Sequence, residues 1–369
     1  MQKQIITRSI SAGGPEKRIE ALDFARGVAI VLMILSHGVK GLLDFTQIPD
    51  FGLVPIHLVT KFSSTLFIMV FGMSLAVAYL PHVATDQWKQ KRKRLLIRSL
   101  VVFFWYKLLT IVEMSHLNSP QEIIEALTYK RFPVFVEILG FYAIALLWVP
   151  FFLPVWKKMS LLLRLLTPVL FAALAVFLHQ NCSFFNLKPL QAVLTEADGY
   201  YTWGQLSRGP LIFLGLILGD IIAVNYVTTK RRYYLAAVFS ALSFLLLLLF
   251  YLRTADIFHK ALIAIAKNEG KHPPELNFIL FSLGGSLLIM AAGILLHGRL
   301  AVFARPIIVI GKDALQSFIF HIFVLFVFYR YLFNYWHNIS YTSALVLSGL
   351  LILLTACWVR ALSWIRRNS

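Results

Sequence analysis

The sequence is a succession of apolar blocks, each long enough to cross a bilayer as an α-helix and separated from the next by a short polar connection. About ten such blocks run near residues 22–43, 57–80, 94–115, 134–155, 160–178, 209–226, 232–252, 277–297, 305–329 and 341–364. A hydrocarbon core about 30 Å thick takes roughly 20 helical residues to span. Within it, a helix pairs every backbone N–H and C=O inside its own segment. The chain therefore reads as an all-α, polytopic integral membrane protein. Of its 369 residues 59% are hydrophobic and 14% charged, against roughly 25% charged in soluble domains. Cys182 and Cys357 match neither a metal-binding spacing nor a disulfide framework.

A net charge of +18 would suggest nucleic acid in a soluble domain, but here the basic residues sit in connections between spans and read as topology signals. Lys89, Lys91, Arg92, Lys93 and Arg94 lie between the second and third blocks, Lys157 and Lys158 between the fourth and fifth, and Lys230, Arg231 and Arg232 between the sixth and seventh. They alternate with basic-poor loops such as 44–56, which carries Asp44 and Asp50. With Lys3, Arg8, Lys17 and Arg18 before the first block and Arg366 and Arg367 after the last, the positive-inside rule predicts both termini in the cytoplasm. Arg253, Lys260, Lys267 and Lys271 run against the pattern, in a longer loop where the rule is weaker. The first block shows no small-residue cleavage site and reads as a retained span. No internal repeat is evident. The expectation is one membrane domain over 1–369 with a cytoplasmic tail at 1–20, and with its longest outer connections at 115–133, 179–208 and 253–276.

Ionisable residues inside spans are costly and are functional candidates by default. Arg26 and His37 share the first block. Eleven helical positions turn through about 1100°, which leaves the two side chains roughly 20° apart on one face and about 16 Å apart along the axis. Counting depth along each span places His37, Lys107, Glu113, Glu137 and His321 in the outer half, and Arg26, Asp220, Lys312 and Asp313 toward the cytoplasm. The outer set contains the types needed for a general base, a carboxylate that orients it and a cation for developing negative charge. Simpler roles compete. Arg26 can pair with Asp23 on its own helix face, and His321, four residues after Ser317, suits a hydrogen bond that holds the bundle together. Tyr200, Tyr201 and Trp203 in an outer loop can stack on sugar rings or merely mark the interface.

The stretch DFARGVAIVLMILSHG, with Arg26 and His37, resembles the first-span signature of the acyltransferase 3 family and the wider transmembrane acyltransferase superfamily. IGKDALQSFIFH is similar to that family's late segment and supplies Gly311, Ser317 and His321. FSSTLFIMVFGMSLAVAY and the basic cluster after it resemble the second span and the start of the third, where Arg94 and Arg98 stand in for a more closely spaced basic pair. The layout is similar to compact members, including periplasmic-glucan succinyltransferases and heparan-glucosaminide acetyltransferase-like proteins. The resemblance implies transfer of an acyl group, commonly acetyl, from cytoplasmic acyl-CoA as co-substrate to a hydroxyl of an envelope glycan or lipid-linked sugar, in a bacterial inner membrane and without a permanently bound cofactor. On that footing Arg26, with Arg94 and Arg98 of the basic cluster, would hold donor phosphate. His37 would act as general base, with Glu113 or Glu137 orienting its other nitrogen. Direct transfer and a transient acyl-histidine both remain open. The rival from another class is a proton-coupled transporter built on the same buried His, Glu and Lys residues. A structural subunit of an envelope complex would leave the aligned Arg and His unexplained.

Overall fold

The structure is a computed structural model that describes residues 18–48, 56–197, 199–200, 202–296 and 299–368. The basic tail at 1–17, Asp50 and Tyr201 lie outside the described residues. Ten described helices are long and apolar enough to cross a membrane. They are α1 (Glu20–Leu42), α2 (Ile56–Ala78), α3 (Trp88–Met114), α4 (Glu137–Lys158), α5 (Leu161–Asn181), α6 (Gln205–Asn225), α7 (Thr229–Ala266), α8 (Leu276–Leu295), α9 (Ala314–Leu332) and α10 (Tyr341–Asn368). The expected ten spans are all present. Helix starts follow local chemistry: the Ser160 hydroxyl accepts from the Leu163 N–H at the head of α5, and Ser119 with Glu122 forms a capping box on the short helix Pro120–Leu127.

The ninth apolar block departs from expectation. Residues 305–329 form two helices, Arg305–Lys312 and α9, broken at Asp313, whose carboxylate accepts from the Gln316 N–H and caps α9. A carboxylate at a helix start satisfies a free N–H and meets the positive end of the dipole, so the break falls where the sequence offers an acid. The far end of α9 widens into π-helix over Val324–Leu332.

The helices sort by what their outer faces touch. Only 11% of the most apolar window of α5 is buried, against 72% for α2. Leu161, Leu162, Val169 and Phe177 on α5 are exposed and suit a lipid-facing helix, whereas α1, α2, α4 and α8 form the interior. Interior helices approach closely through small residues. α2 and α6 make the most extensive contact of the bundle, and it depends on Gly72 and Gly215: a Cβ on either would strike a backbone carbonyl of the other helix. Gly311 lies in the same way against the Asp23 backbone, so Arg305–Lys312 packs directly on the start of α1. Both described chain ends meet there. Arg18 donates to the Lys312 carbonyl at 3.2 Å and Arg366 to Asp313 at 2.8 Å. These contacts mark the terminal end of the bundle.

Candidate active site

At the terminal end, the Arg26 guanidinium is held on three sides. Nη1 donates to Asp23 Oδ1 at 3.1 Å and to the Gly311 carbonyl at 3.0 Å, while Nη2 donates to Ser74 Oγ at 2.7 Å. Asp23 also accepts from Arg18, so one buried carboxylate serves two guanidinium groups. Arg26, Arg98 and Lys312 line a cavity of about 300 Å³ whose remaining wall is mostly apolar and aromatic, including Phe67, Phe71 and Phe318. Three cations over an apolar wall suit a ligand with an anionic head and a less polar arm. Arg94, one turn before Arg98, is exposed and is not part of this wall.

Further along α1, His37 lies against α9. Its Nδ1 is 3.2 Å from His321 Nε2, and His321 Nδ1 is 3.0 Å from the Ser317 carbonyl oxygen. A carbonyl can only accept, so His321 Nδ1 carries the hydrogen. With both rings neutral, His321 Nε2 is then an acceptor and His37 Nδ1 must donate to it. This chain of bonds leaves the lone pair of His37 on Nε2, the tautomer a base requires. The expected carboxylate partner is thus replaced on Nδ1 by a second imidazole. The Phe135 and Phe318 rings stand edge-on to His37, at centroid distances of 5.3 and 6.4 Å. Phe318 therefore borders both the Arg26 cavity and the imidazole pair.

His37 also lines a second, smaller cavity of about 40 Å³, together with Lys61, Glu137, Trp203, Asn268 and Lys271. It has room for water or a single functional group. Lys61 donates to Asn268 Oδ1 at 2.6 Å. Glu137 and Trp203, both buried, lie side by side on its wall, with the indole N–H directed at the carboxylate. Glu113 is used differently: its carboxylate accepts from the Val134 and Phe135 N–H groups at 2.6 and 3.1 Å and fixes the start of α4. Lys107 donates to the Leu127 carbonyl at 2.8 Å, at the end of the short helix Pro120–Leu127.

The roof of the smaller cavity is pinned by a buried ionic clasp between the first turn of α6 and two loops. Glu196 Oε1 accepts from Arg208 Nε at 2.8 Å, its Oε2 lies 2.8 Å from His272 Nδ1, and Arg208 Nη2 donates to the Lys271 carbonyl. Glu196 and Arg208 are 1% and 2% exposed, so neither charge could stand alone. Burial would raise the Glu196 carboxyl, but Arg208 and His272 outweigh it and hold it below the usual range. Burial likewise pushes His272 down to about 4, against the pull of Glu196. His272 is thus a neutral donor to an ionised carboxylate near neutral pH. Both groups bind protons less readily in the folded chain than in the unfolded one. The His272 contribution is complete above the ordinary histidine value and is lost as the pH falls toward 4, whereas that of Glu196 is complete above the usual carboxylate range and is lost only below it. Thermal melting in detergent should be flat above pH 7 and lose about 3 kcal/mol between pH 6.5 and 4. A His272→Asn variant should lose most of that slope.

Of the site residues expected from sequence, the fold brings Arg26 and Arg98 into one cavity and His37 and Glu137 into another, while Glu113 and Arg94 stand apart from both. Sequence reasoning missed Lys61, an ionisable residue inside an apolar span and visible by that rule, and it favoured a structural role for His321. Lys271, Asn268 and the clasp carry no local signal, because they meet the site only through loop packing. These features define an integral, multi-pass membrane protein with a polar site at each end of one helix face. Residues 18–202 match the family described as heparan-alpha-glucosaminide N-acetyltransferase, catalytic. The chain belongs to that family and is a membrane acetyltransferase. No curated protein matches the chain. The matched region carries Arg26, His37, Lys61, Glu137 and Glu196, and it ends before Trp203, Arg208, Lys271 and His321.

Proposed function

We propose that the protein moves an acetyl group across the bilayer, from acetyl-CoA held at the terminal, cytoplasmic end to a hydroxyl of an envelope glycan or lipid-linked sugar at the opposite end. The observation that carries this reading is the pair of cavities along α1, one cationic at Arg26 and one around the base-ready Nε2 of His37, with Phe318 between them. The charge distribution of the loops supports a cytoplasmic terminal end, in a bacterial inner membrane. Arg26, Arg98 and Lys312 hold the donor phosphates, and the arm runs past Phe318 so that its thioester reaches His37. His37 Nε2 takes the acceptor proton as the oxygen attacks the thioester carbonyl. The tetrahedral adduct then expels the thiolate by breaking the C–S bond, and the proton on His37 passes to the sulfur. His321 keeps His37 in the required tautomer, and Glu137 accepts a hydrogen bond from the acceptor. A path through acetyl-His37 uses the same residues. The family description favours an amine as the rival acceptor, to which the same proton bookkeeping applies.

Acetyl-CoA offered to the purified protein in detergent tests the reading. Micromolar binding with slow release of acetate is expected, whereas a proton-coupled transporter, which the family match disfavours, should do neither. Arg26→Gln should raise the KM for acetyl-CoA about tenfold or more, through loss of a charge-assisted contact, and leave kcat within a few-fold. An unchanged KM would remove Arg26 from the donor site.

A further inference from the structure

The two cavities along α1 stop short of each other. Among the described residues they share no lining side chain, although their walls adjoin turn by turn: on α2 Ser64 faces the smaller cavity and Phe67 the larger, and on α4 Ile138 and Leu139 divide in the same way. The donor arm has to cross this septum to bring its thioester to His37. On the α9 side the septum is the ring of Phe318. Counting from the break at Asp313, it is the last α9 residue to line the larger cavity. The ring is 1% exposed and stands edge-on to both imidazoles, 4.9 Å from His321 and 6.4 Å from His37 between ring centres.

The backbone beside that ring is tied. The Ser317 hydroxyl donates to the Ile310 carbonyl at 2.9 Å, and the Ser317 carbonyl accepts from His321 Nδ1 at 3.0 Å. The α2 and α4 walls are equally fixed, because the Tyr142 hydroxyl donates to the Phe67 carbonyl at 2.8 Å and the two rings meet edge to face. Met33 of α1 is the soft member of the wall around His37, an unbranched side chain that adapts to what it meets. A close-packed wall that cannot relax responds to single methylene groups, so size selection at the septum falls to the ring and not to the methionine.

We infer that Phe318 sets the length of the acyl group that the protein transfers, admitting acetyl and turning back longer chains. The inference rests on reading the larger cavity as the donor site and His37 as the base. Acetyl carries only a methyl group beyond its carbonyl carbon, and the smaller cavity has room for a single group. The extra methylenes of butyryl have no comparable space except in the septum, which the Phe318 ring fills.

Hydrolysis provides a test that needs no acceptor: water attacks the thioester carbonyl, the C–S bond breaks, and the carboxylic acid and the free thiol of CoA are released. Thiol release is followed for the full chain in detergent with acetyl-, propionyl- and butyryl-CoA. One methylene too many in a fitted apolar pocket is worth about 10–200-fold, so butyryl-CoA should be cleaved at least about tenfold more slowly than acetyl-CoA. The difference should lie in kcat, because the donor head meets Arg26, Arg98 and Lys312 whatever its acyl group. Phe318→Ala should raise the absolute rate with butyryl-CoA about tenfold, and Phe318→Leu, which keeps more of the bulk, should gain less. A gain with the longer substrate is not a result that a damaged fold gives. Equal cleavage of acetyl- and butyryl-CoA by the unmodified chain would overturn the inference, as would a Phe318→Ala variant that melts like the parent and still refuses butyryl-CoA. If Phe318→Ala does not fold, Phe318→Leu and the length preference of the unmodified chain decide. Acetyl-CoA cleavage without a length response defeats the filter alone, whereas neither binding nor cleavage of acetyl-CoA defeats the proposed transfer beneath it.

Discussion

Replacing His37 by alanine is expected to lower acetyl transfer about 10²–10⁴-fold, the usual contribution of a positioned general base, with little change in acetyl-CoA affinity. The donor phosphates would sit near Arg26, about 16 Å away along α1, so binding and chemistry should separate cleanly in this variant. His321→Phe sharpens the test. It removes the acceptor at 3.2 Å that obliges His37 to carry its hydrogen on Nδ1 and leaves the imidazole free to adopt the wrong tautomer. kcat should fall by about tenfold or more while both KM values hold. Initial rates with labelled acetyl-CoA, on variants whose melting matches the parent, provide the measurement. Full activity in His37→Ala would place the base elsewhere, and an unaffected His321→Phe would reduce the imidazole pair to packing.

Breaking the Glu196–Arg208 pair should have the largest effect on stability. Arg208→Leu leaves an ionised carboxylate, 1% exposed, without its guanidinium, and losses of about 3–5 kcal/mol follow when one partner of a buried pair is removed. Glu196→Ala strands the guanidinium in the same way, whereas Glu196→Gln, which keeps an acceptor for Arg208, should cost less. The damage should concentrate at one end of the molecule. Arg208 also holds the Lys271 carbonyl, so the roof over His37 loosens, while the Arg26 cavity, built from α1, α2, α3, α4, the helix Arg305–Lys312 and α9, contains none of these residues. Thermal melting combined with acetyl-CoA titration reads both effects. Wild-type melting in Arg208→Leu would show that the pair adds nothing to stability.

The legible part of this molecule was its apolar periodicity and its misplaced charges. All ten spans could be read from block length, because crossing a bilayer as a helix requires an uninterrupted apolar segment. Arg26 and His37 stood out because an ionisable residue in such a segment is conspicuous and because helix geometry alone aligns them. The break at Asp313 was hidden inside one long apolar block, where a single acid is enough to end one helix and begin another. Glu113 and Glu137 looked equivalent in sequence. One turned to backbone N–H groups and the other to a cavity, a choice made by the neighbouring loop and not by the residue type.

By itself, the sequence determined the class of protein, the number of spans and the one helix face that carries both a cation and an imidazole. These follow from local rules: the cost of an unpaired backbone group in lipid and the 3.6-residue turn of the α-helix. The tertiary structure alone decided which group meets His37 Nδ1, which of the basic residues share a cavity, and how residues as distant as Lys61, Glu196 and Lys271 enclose one pocket. Those pairings depend on how close two helices can approach, which glycines such as Gly72, Gly215 and Gly311 set at particular crossings. They depend equally on where buried charges find partners across loops, and neither property belongs to any single stretch of chain.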